Sequence, residues 1–343
     1  MMKRSLLILQ LLLQLLLGIV AVSADASVWD RALTSPEDDA AKELYDAKML
    51  EGDTATLTAT IQSASVASNL ESIRRAEAAY RAAAKVRPRE GEPYFRIGNL
   101  LYQMYYNCDP ALLPLSTCSP NNLVHAEKVI AAWEEFEKRA PLDPRISEIL
   151  VRRALLNTRL VDGSLSDHYH LEKAARDYEA ALDRGDGLTG THGDEQLLGN
   201  LAETYMMLER LDAAIASYVR AISAGAARVS TVYGLAVALD RDGSGEQAIR
   251  QIQSQGTEGF DAFTKDCLQR SVFFVPAGES SYYFALALEA FGNYGVALTL
   301  WNHFLASGAH AEFGARAKEH IEALHDKHVR PEAPPPELNP PPC

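Results

Sequence analysis

Apolar and small residues recur through the middle of the chain at spacings that place them on one face of each of two successive helices. The pattern is most complete from Glu195 to Ala226. Counted from Glu195, positions 4, 7, 8, 11, 20, 24 and 27 are held by Leu198, Leu201, Ala202, Tyr205, Ala214, Tyr218 and Ala221. Steps of three and four residues are typical of a helix with one buried face. We therefore predict a helix, a tight turn and an antiparallel helix in this stretch.

The same order of residues returns before and after this stretch with a period of about 34 residues. The recurring small and aromatic residues are Ala76, Tyr80 and Ala83; Tyr94, Ile97, Gly98 and Leu101; Ala174, Tyr178 and Ala181; Val232, Leu235, Ala236 and Ala248; and Phe284, Ala285, Leu288, Ala297 and Trp301. Two insertions, near 107–123 and 253–280, break the period. We read Val272 to Pro276, inside the second insertion, as an extended segment.

The start of the chain has the three parts of a secretory signal. Lys3 and Arg4 precede an apolar run that ends in small residues. We expect a signal peptide over residues 1–24, cleaved after Ala24 or, as a second choice, after Ala26. The mature protein would be periplasmic or extracellular, without stable membrane insertion. The alternative is an uncleaved membrane anchor.

The remaining segments flank the repeats. Residues 25–68 are expected to hold an acidic helix, from Ser35-Pro36 to Gly52, and a degenerate first helix of the first repeat. Residues 69–309 form the repeat array. Residues 310–328 predict a capping helix. Residues 329–343 contain seven prolines, and we expect a disordered tail there because proline excludes helix and buries little.

From about Asn69 to about Ser307 the chain resembles the tetratricopeptide repeat (TPR) family, in a form typical of exported bacterial proteins. The resemblance implies an all-α fold, a right-handed superhelical solenoid of antiparallel helix pairs with about five to six units and capping helices. Such proteins generally bind peptides or partner proteins in a concave groove lined by the first helix of each pair, and they rarely catalyse reactions.

The resemblance also implies which residues face the groove. Carried over position by position, they are Phe95, Asn99, Tyr102, Gln103, Gly199, Asn200, Glu203, Met206, Met207, Tyr233, Val237, Asp240, Tyr282, Leu286 and Glu289. This surface is aromatic, amide-rich and mildly acidic. It would suit a peptide or protein partner with apolar anchors and some positive charge.

Charge and cysteine content narrow the other possibilities. The formal net charge is −13, which disfavours binding to nucleic acid phosphates. Cys108 and Cys118 bracket the first insertion, and a disulfide between them would be reasonable in an exported protein. Cys267 would then be left with Cys343 or stay unpaired.

No pattern in the sequence points strongly to a cofactor or metal. His168 and His170 lack further ligands nearby, so we interpret them as structural. The letters from Asp240 to Glu246 imitate the start of a calcium loop, but the closing glutamate is replaced by Gln251. We interpret them as a turn between helices.

The sequence therefore favours an exported interaction module that binds a partner in its groove, without catalysis or cofactor. The first alternative is a structural scaffold that self-associates in the cell envelope. A remote alternative is a hydrolytic enzyme with its site at the two insertions, although no Ser/His/Asp or Cys/His signature is recognisable.

Overall fold

The computed structural model describes residues 36–60, 66–108, 122–160, 167–184, 194–224, 228–269 and 278–339. Within these ranges the secondary structure is helical. The α-helices are α1 (Pro36–Thr60), α2 (Val66–Val86), α3 (Glu92–Cys108), α4 (Asn122–Arg139), α5 (Ile146–Arg159), α6 (Asp167–Arg184), α7 (Asp194–Met207), α8 (Leu211–Ser223), α9 (Val229–Arg241), α10 (Gly245–Ser254), α11 (Gly256–Leu268), α12 (Glu279–Ala290), α13 (Tyr294–Ser307) and α14 (Gly314–Asp326). Short 3₁₀ helices cover Ala311–Phe313 and Pro336–Leu338.

The predicted helix pairs are confirmed. In the best-preserved repeat, α7 and α8 bury Leu198, Leu201, Ala202, Ala214, Tyr218 and Ala221. The helices of a pair run antiparallel, as α1 and α2 show. The Tyr80 hydroxyl, in the middle of α2, donates a hydrogen bond of 2.7 Å to Asp53, late in α1. Arg87, just after α2, lies over the ring of Tyr45, earlier in α1. The chain is therefore an all-α, TPR-like array.

The chain divides into two compact units. The N-terminal unit comprises residues 1–100 and 138–140, and the C-terminal unit comprises residues 101–137 and 141–343. The C-terminal unit contains the helix pairs from α5 onward. Its core includes the large buried side chains of Tyr218, Phe263, Phe284 and Trp301.

The turn inside a pair has the same geometry in three repeats. At position 15, Glu209, Gly243 and Gly292 have positive φ values of 59°, 86° and 79°. The next residue then donates its backbone N–H to a carbonyl five residues back, as in Arg210 to Tyr205 at 2.9 Å and Ser244 to Leu239 at 2.8 Å. This left-handed ending satisfies carbonyls that a helix end leaves free, which explains the glycines at this position.

The first helix continues further than predicted. The sequence suggested that the acidic helix ends at Gly52, but α1 continues to Thr60. The reason is packing, because a Cβ atom at Gly52 would lie 2.4 Å from the ring of Tyr80. Gly52 therefore allows α2 to approach α1 closely rather than ending the helix.

The second insertion contains a helix that was not predicted. Helix α11 buries Phe263, whose ring stacks on Tyr233 of α9 with centroids 4.6 Å apart. Phe263 also contacts Phe284 of α12, at 5.2 Å between centroids. The insertion therefore adds an apolar wedge between two helix pairs. Val272 to Pro276 lie outside the described residues, so the extended segment predicted there stays a prediction.

The proline-rich tail was expected to be disordered, but its described part, up to Asn339, packs along α13. The backbone N–H of Glu332 donates to the Gly295 carbonyl at 3.0 Å, and Thr299 donates to the Glu332 carbonyl at 2.7 Å. Leu338 is buried. Proline disfavours an α-helix here, but the segment still buries Leu338 and bonds to α13.

None of the helices in the described ranges is long and apolar enough to span a bilayer. The expected signal segment, residues 1–24, lies outside those ranges, as does most of the first insertion.

Candidate functional site

A cavity of about 180 Å³ lies in the C-terminal unit, among the first helices of successive pairs. Helices α5, α7 and α9 supply most of its wall, and the start of α12 and His310 close one end. Its apolar wall includes Leu155, Tyr178, Met206 and Met207. Gln196, Asn200, Ser230 and Thr231 contribute polar groups. The space suits one side chain or a small polar molecule rather than a large cofactor.

Glu203 of α7 places a carboxylate in this cavity. The Tyr283 hydroxyl donates to its two oxygens at 3.0 and 3.1 Å, and the fully buried Tyr218 lies beside it. Burial raises the pKa of Glu203 to about 6, although the hydrogen bond from Tyr283 acts in the opposite direction. The carboxylate is therefore held in a poorly solvated place that penalises its charge.

Two other ionic pairs border the cavity. Arg241, at the end of α9, donates to Glu279 at 2.7 Å, and both side chains are almost fully buried. The guanidinium lies 4.1 Å from the ring centre of Phe313 and 4.5 Å from that of Tyr282. His310 bonds to Glu312 through Nδ1 at 2.8 Å. Although burial lowers the pKa of His310, the carboxylates of Glu312 and Glu279 together raise it above the ordinary value.

Several buried polar atoms at the cavity have no hydrogen-bond partner among the described residues. They are the Tyr218 hydroxyl, Nε and Nη1 of Arg241, Oε2 of Glu279 and Nε2 of His310. Buried polar groups in folded proteins are normally satisfied by protein or by water. The concentration of these unpartnered polar atoms in one cavity indicates a place that accepts water or a polar ligand.

Five of the residues predicted to face the groove line the cavity together. They are Gly199, Asn200, Glu203, Met206 and Met207, all on α7. Gly199 has no side chain and so leaves open space at the cavity wall, where a Cβ atom would have only Thr231 nearby, at 3.7 Å. The repeat spacing thus placed the residues of α7 on the side of the helix that faces the cavity.

Other predicted groove residues lie in the core instead. Tyr233 is fully buried against Phe263 of the unpredicted helix α11. Tyr282 is fully buried and donates to Asp240 at 2.7 Å. Val237 and Leu286 are also buried. These positions are unavailable to a partner. Side chains of α11 and α14 pack against or bond to α9 and α12, the helices that carry them.

Two predicted groove residues, Asp240 and Glu289, bond to side chains of helix α14. The carboxylate of Asp240 accepts from Arg316 at 2.7 Å and from His320 Nε2 at 3.0 Å. His320 Nδ1 donates to Glu289 at 2.9 Å, and Trp301 donates to the same oxygen at 3.1 Å. Asp240 and Glu289, which were predicted to face the groove, therefore hold the C-terminal helix in place. Asp240 is also the first residue of the stretch that resembles a calcium loop.

The predicted groove residues of α3 are not among the residues that line this cavity. Tyr102 contacts Trp133 with ring centroids 5.4 Å apart and lies beneath Arg152. Phe95 and Asn99 are half-buried, and Gln103 is exposed. The Asn99 side-chain oxygen has no partner within the described ranges. Their role as groove residues stays a prediction.

Sequence reasoning missed Glu279, Arg241 and the buried hydroxyl of Tyr218 at the cavity. Position 2 of a repeat faces the cavity in three cases, since Gln196, Ser230 and Glu279 all line it. Arg241 holds position 13, the position of Met207 one repeat earlier. Both signals were present in the period. Tyr218 carried no such signal, because position 24 reads as core packing.

His168, His170 and Cys267, all in the described ranges, contact other side chains of the chain. His170 bonds to Asn157 at 3.0 Å, and His168 is exposed beside Glu172. Cys267 is buried and disulfide-bonded. The side chains of Cys108, Cys118 and Cys343 lie outside the described residues, so the predicted pairing of Cys108 with Cys118 stays a prediction.

Comparison with solved structures finds helical-repeat proteins at low identity. The MamA protein is 14% identical, with a TM-score of 0.42, over 68% of this chain and 100% of that chain. YrrB, described as a TPR protein with an unusual peptide-binding site, is 15% identical, with a TM-score of 0.37, over 73% of this chain and 98% of that chain. No family model matches the chain. No curated protein matches it either.

Proposed function

We propose that this protein is a non-catalytic interaction module that binds a segment of a partner protein in the cavity between α5, α7 and α9. The observation that carries the proposal is the convergence of unpartnered buried polar atoms on a cavity with apolar walls. Apolar walls with a few fixed polar groups are what peptide and ligand sites use for affinity and specificity. Most residues of the cavity wall come from first helices of the repeats, while Tyr218 of α8 and His310 add polar groups from outside them.

A selection with displayed random peptides tests this function. Peptides enriched on the wild-type protein should bind at least about tenfold more weakly to Gly199→Leu, which adds a side chain to the open part of the cavity wall. The matched control is Gly314→Ala, which adds a methyl group at the start of α14, where Leu305 at 3.5 Å is in ordinary contact. Equal affinity of the selected peptides for wild type and Gly199→Leu would contradict the proposal, as would a selection that enriches no peptide.

We also propose that the partner is met outside the cytoplasm. The positively charged start, the apolar run and the small residues before Ala26 support export. Amino-terminal sequencing of the protein from the expressing cells should give a chain that begins at Asp25 or at Ser27. A chain that begins at Met1 or Met2 would contradict export by cleavage.

A further inference from the structure

The charges at the cavity do not balance. Arg241 is paired with Glu279, and His310 is paired with Glu312. Glu203 lies beside the hydroxyl groups of Tyr283 and Tyr218, and the nearby Arg241 guanidinium, which acts on its charge, is already paired with Glu279. Buried charges in proteins are normally paired with an opposite charge. Glu203 is therefore a buried carboxylate that forms no ion pair of its own with another residue in the described ranges.

The surroundings of Glu203 show where such a cation would sit. Tyr218 approaches from α8, Tyr283 and Glu279 from α12, and Arg241 from α9. Of the atoms without a hydrogen-bond partner among the described residues, the Tyr218 hydroxyl and Oε2 of Glu279 can accept, whereas Nε and Nη1 of Arg241 can only donate. A group with several N–H donors could satisfy the Tyr218 hydroxyl, Oε2 of Glu279 and the Glu203 carboxylate together, as a lysine ammonium does with its three donors.

The walls suit the stem of such a side chain. Leu155, Met206 and Met207 are apolar and line the cavity, and the volume of about 180 Å³ holds a four-carbon chain with an ammonium. Lysine side chains commonly bury their stem on apolar surface while the charged end meets polar groups. Arg228 stands at the mouth, but it is exposed, so water screens its charge.

From this geometry we infer that the cavity is a pocket for a basic side chain, with lysine as the preferred residue, on the segment that the protein binds. The inference rests on the proposed function and deepens it by naming the anchoring residue. Glu203 acts as the counter-ion of the ammonium, and Tyr218 and Glu279 complete its hydrogen bonds. The negative charge of the whole chain, −13, assists the approach of a basic segment.

The inference predicts a definite dependence on pH. Glu203 must be ionised to pair with the ammonium, and its pKa is about 6 in the free protein. Affinity for a lysine side chain should therefore fall as the pH drops through 6, and binding below that pH should release a proton. An anion bound by Arg241 and His310 would behave in the opposite way, because protonation of Glu203 would remove a repulsive charge.

The methionines of the wall allow a local test on the full chain. The protein labelled with ¹³C-methyl methionine is titrated with three probes: the Nα-acetyl N-methylamides of lysine, norleucine and glutamate. The lysine probe should shift the methyl signals of Met206 and Met207, assigned by Met→Leu substitution. It should bind at least about tenfold more tightly than the norleucine probe, which has a similar length without the charge. Its affinity should be lower at about pH 5 than at about pH 7.5.

Variants separate the pocket from a general charge effect. Glu203→Gln keeps an acceptor for Tyr283 and should lose about tenfold or more in affinity for the lysine probe. Glu209→Gln removes the same charge from the exposed turn after α7 and should bind like wild type. Thermal unfolding and the methionine spectrum confirm that each variant is folded, and Gly199→Leu serves as a second blocking variant if Glu203→Gln is unstable.

Three outcomes overturn the inference and leave the proposed function to its own test. In the first, lysine and norleucine bind equally. In the second, glutamate binds best, with affinity rising as the pH falls. In the third, none of the probes moves Met206 or Met207. Peptides selected from the random library could still bind the groove in each case, so the two claims can fail separately.

Discussion

Two glycines show how single residues shape the cavity. Gly234 of α9 lies under Tyr218, and a Cβ atom there would be 2.5 Å from the Tyr218 hydroxyl. Gly199 of α7 has room, with Thr231 at 3.7 Å. Both glycines are in helices, where alanine is normally favoured. The difference between them therefore isolates the contact with Tyr218.

Gly234→Ala should destabilise the protein by about 1–3 kcal/mol, because it forces the Tyr218 ring from its place in a tightly packed core. Gly199→Ala should be neutral or stabilising by up to about 1 kcal/mol. Urea unfolding followed by circular dichroism measures both. Equal effects of the two substitutions would show that Gly234 does not position Tyr218.

His320 is fixed between two carboxylates and must carry a proton on each ring nitrogen. Nε2 faces Asp240 and Nδ1 faces Glu289, and carboxylates only accept hydrogen bonds. Although burial opposes the charge, these bonds raise the pKa of His320 to about 9. The pKa of Asp240 is lowered to about 2 by His320, Arg316 and Tyr282 despite its burial.

The docking of α14 should therefore weaken in alkaline solution. The contribution of His320 is complete below its unfolded pKa of about 6.5 and is lost as the pH rises through about 9. The contribution of Asp240 is present above about 3.8 and is lost as the pH falls toward about 2. Stability from this cluster is thus greatest between about pH 4 and 6.5, and the loss by pH 10 amounts to a few kcal/mol.

Trp301 reports this change, because His320 stacks on it at 4.4 Å between centroids and a protonated imidazole quenches indole fluorescence. Emission should rise with a midpoint near pH 9. His320→Gln should abolish the transition, while the exposed His325→Gln should keep it. A transition that survives in His320→Gln would contradict the assignment.

At the scale of elements, the tail is a strap on α13. Gly295 is the second residue of that helix, and a Cβ atom there would lie 2.6 Å from the Glu332 side chain. The backbone bond from Glu332 to the Gly295 carbonyl requires this close approach. Gly295→Ala should therefore displace the strap while leaving the helix itself intact.

Limited proteolysis measures the state of the strap. Cleavage after Glu332, within the strap, by a glutamyl endopeptidase should be faster in Gly295→Ala than in wild type, with little change in global unfolding. Gly314→Ala is a suitable control, since only Leu305 would be near the added atom, at 3.5 Å. Equal cleavage rates in Gly295→Ala and wild type would mean that the strap does not depend on this approach.

The period of the sequence predicted the elements well, because helix pairing is local. Residues such as Ala202, Ala214 and Tyr218 are few positions apart in sequence, and their spacing alone places them on the buried faces. The helix α11 was missed because its insertion has no partner in the period. The strap was missed because proline content describes local backbone preference and says nothing about distant contacts.

Predicting the site from the sequence was harder than predicting the elements. Tyr233, Tyr282 and Glu289 hold the same repeat positions as residues of α7 that line the cavity. Phe263 of α11 stacks on Tyr233, Asp240 and Trp301 contact Tyr282, and His320 of α14 bonds to Glu289. Asp240 and Arg316 are separated by 76 residues, so no local pattern announces their bond. The repeat thus identifies positions that can face a partner, and long-range contacts decide which of them stay accessible.

At the scale of the molecule, the described C-terminal unit combines a regular array with one cavity that is incompletely satisfied. The helix pairs hold Glu203, Arg241 and Glu279 near one another, although these residues come from three helices spread over 77 positions. The polar atoms without partners at the cavity come from α8, α9, the start of α12 and His310. The central claim is that a partner segment is held there.

The most direct measurement of this claim is photo-crosslinking of a selected peptide that carries a benzophenone residue, followed by mass spectrometry of the crosslinked chain. The account predicts crosslinks to α5, α7 and α9, with Met206 and Met207 foremost, and their loss in Gly199→Leu. Crosslinks concentrated on the second helices α6 and α8, unchanged in Gly199→Leu, would contradict it.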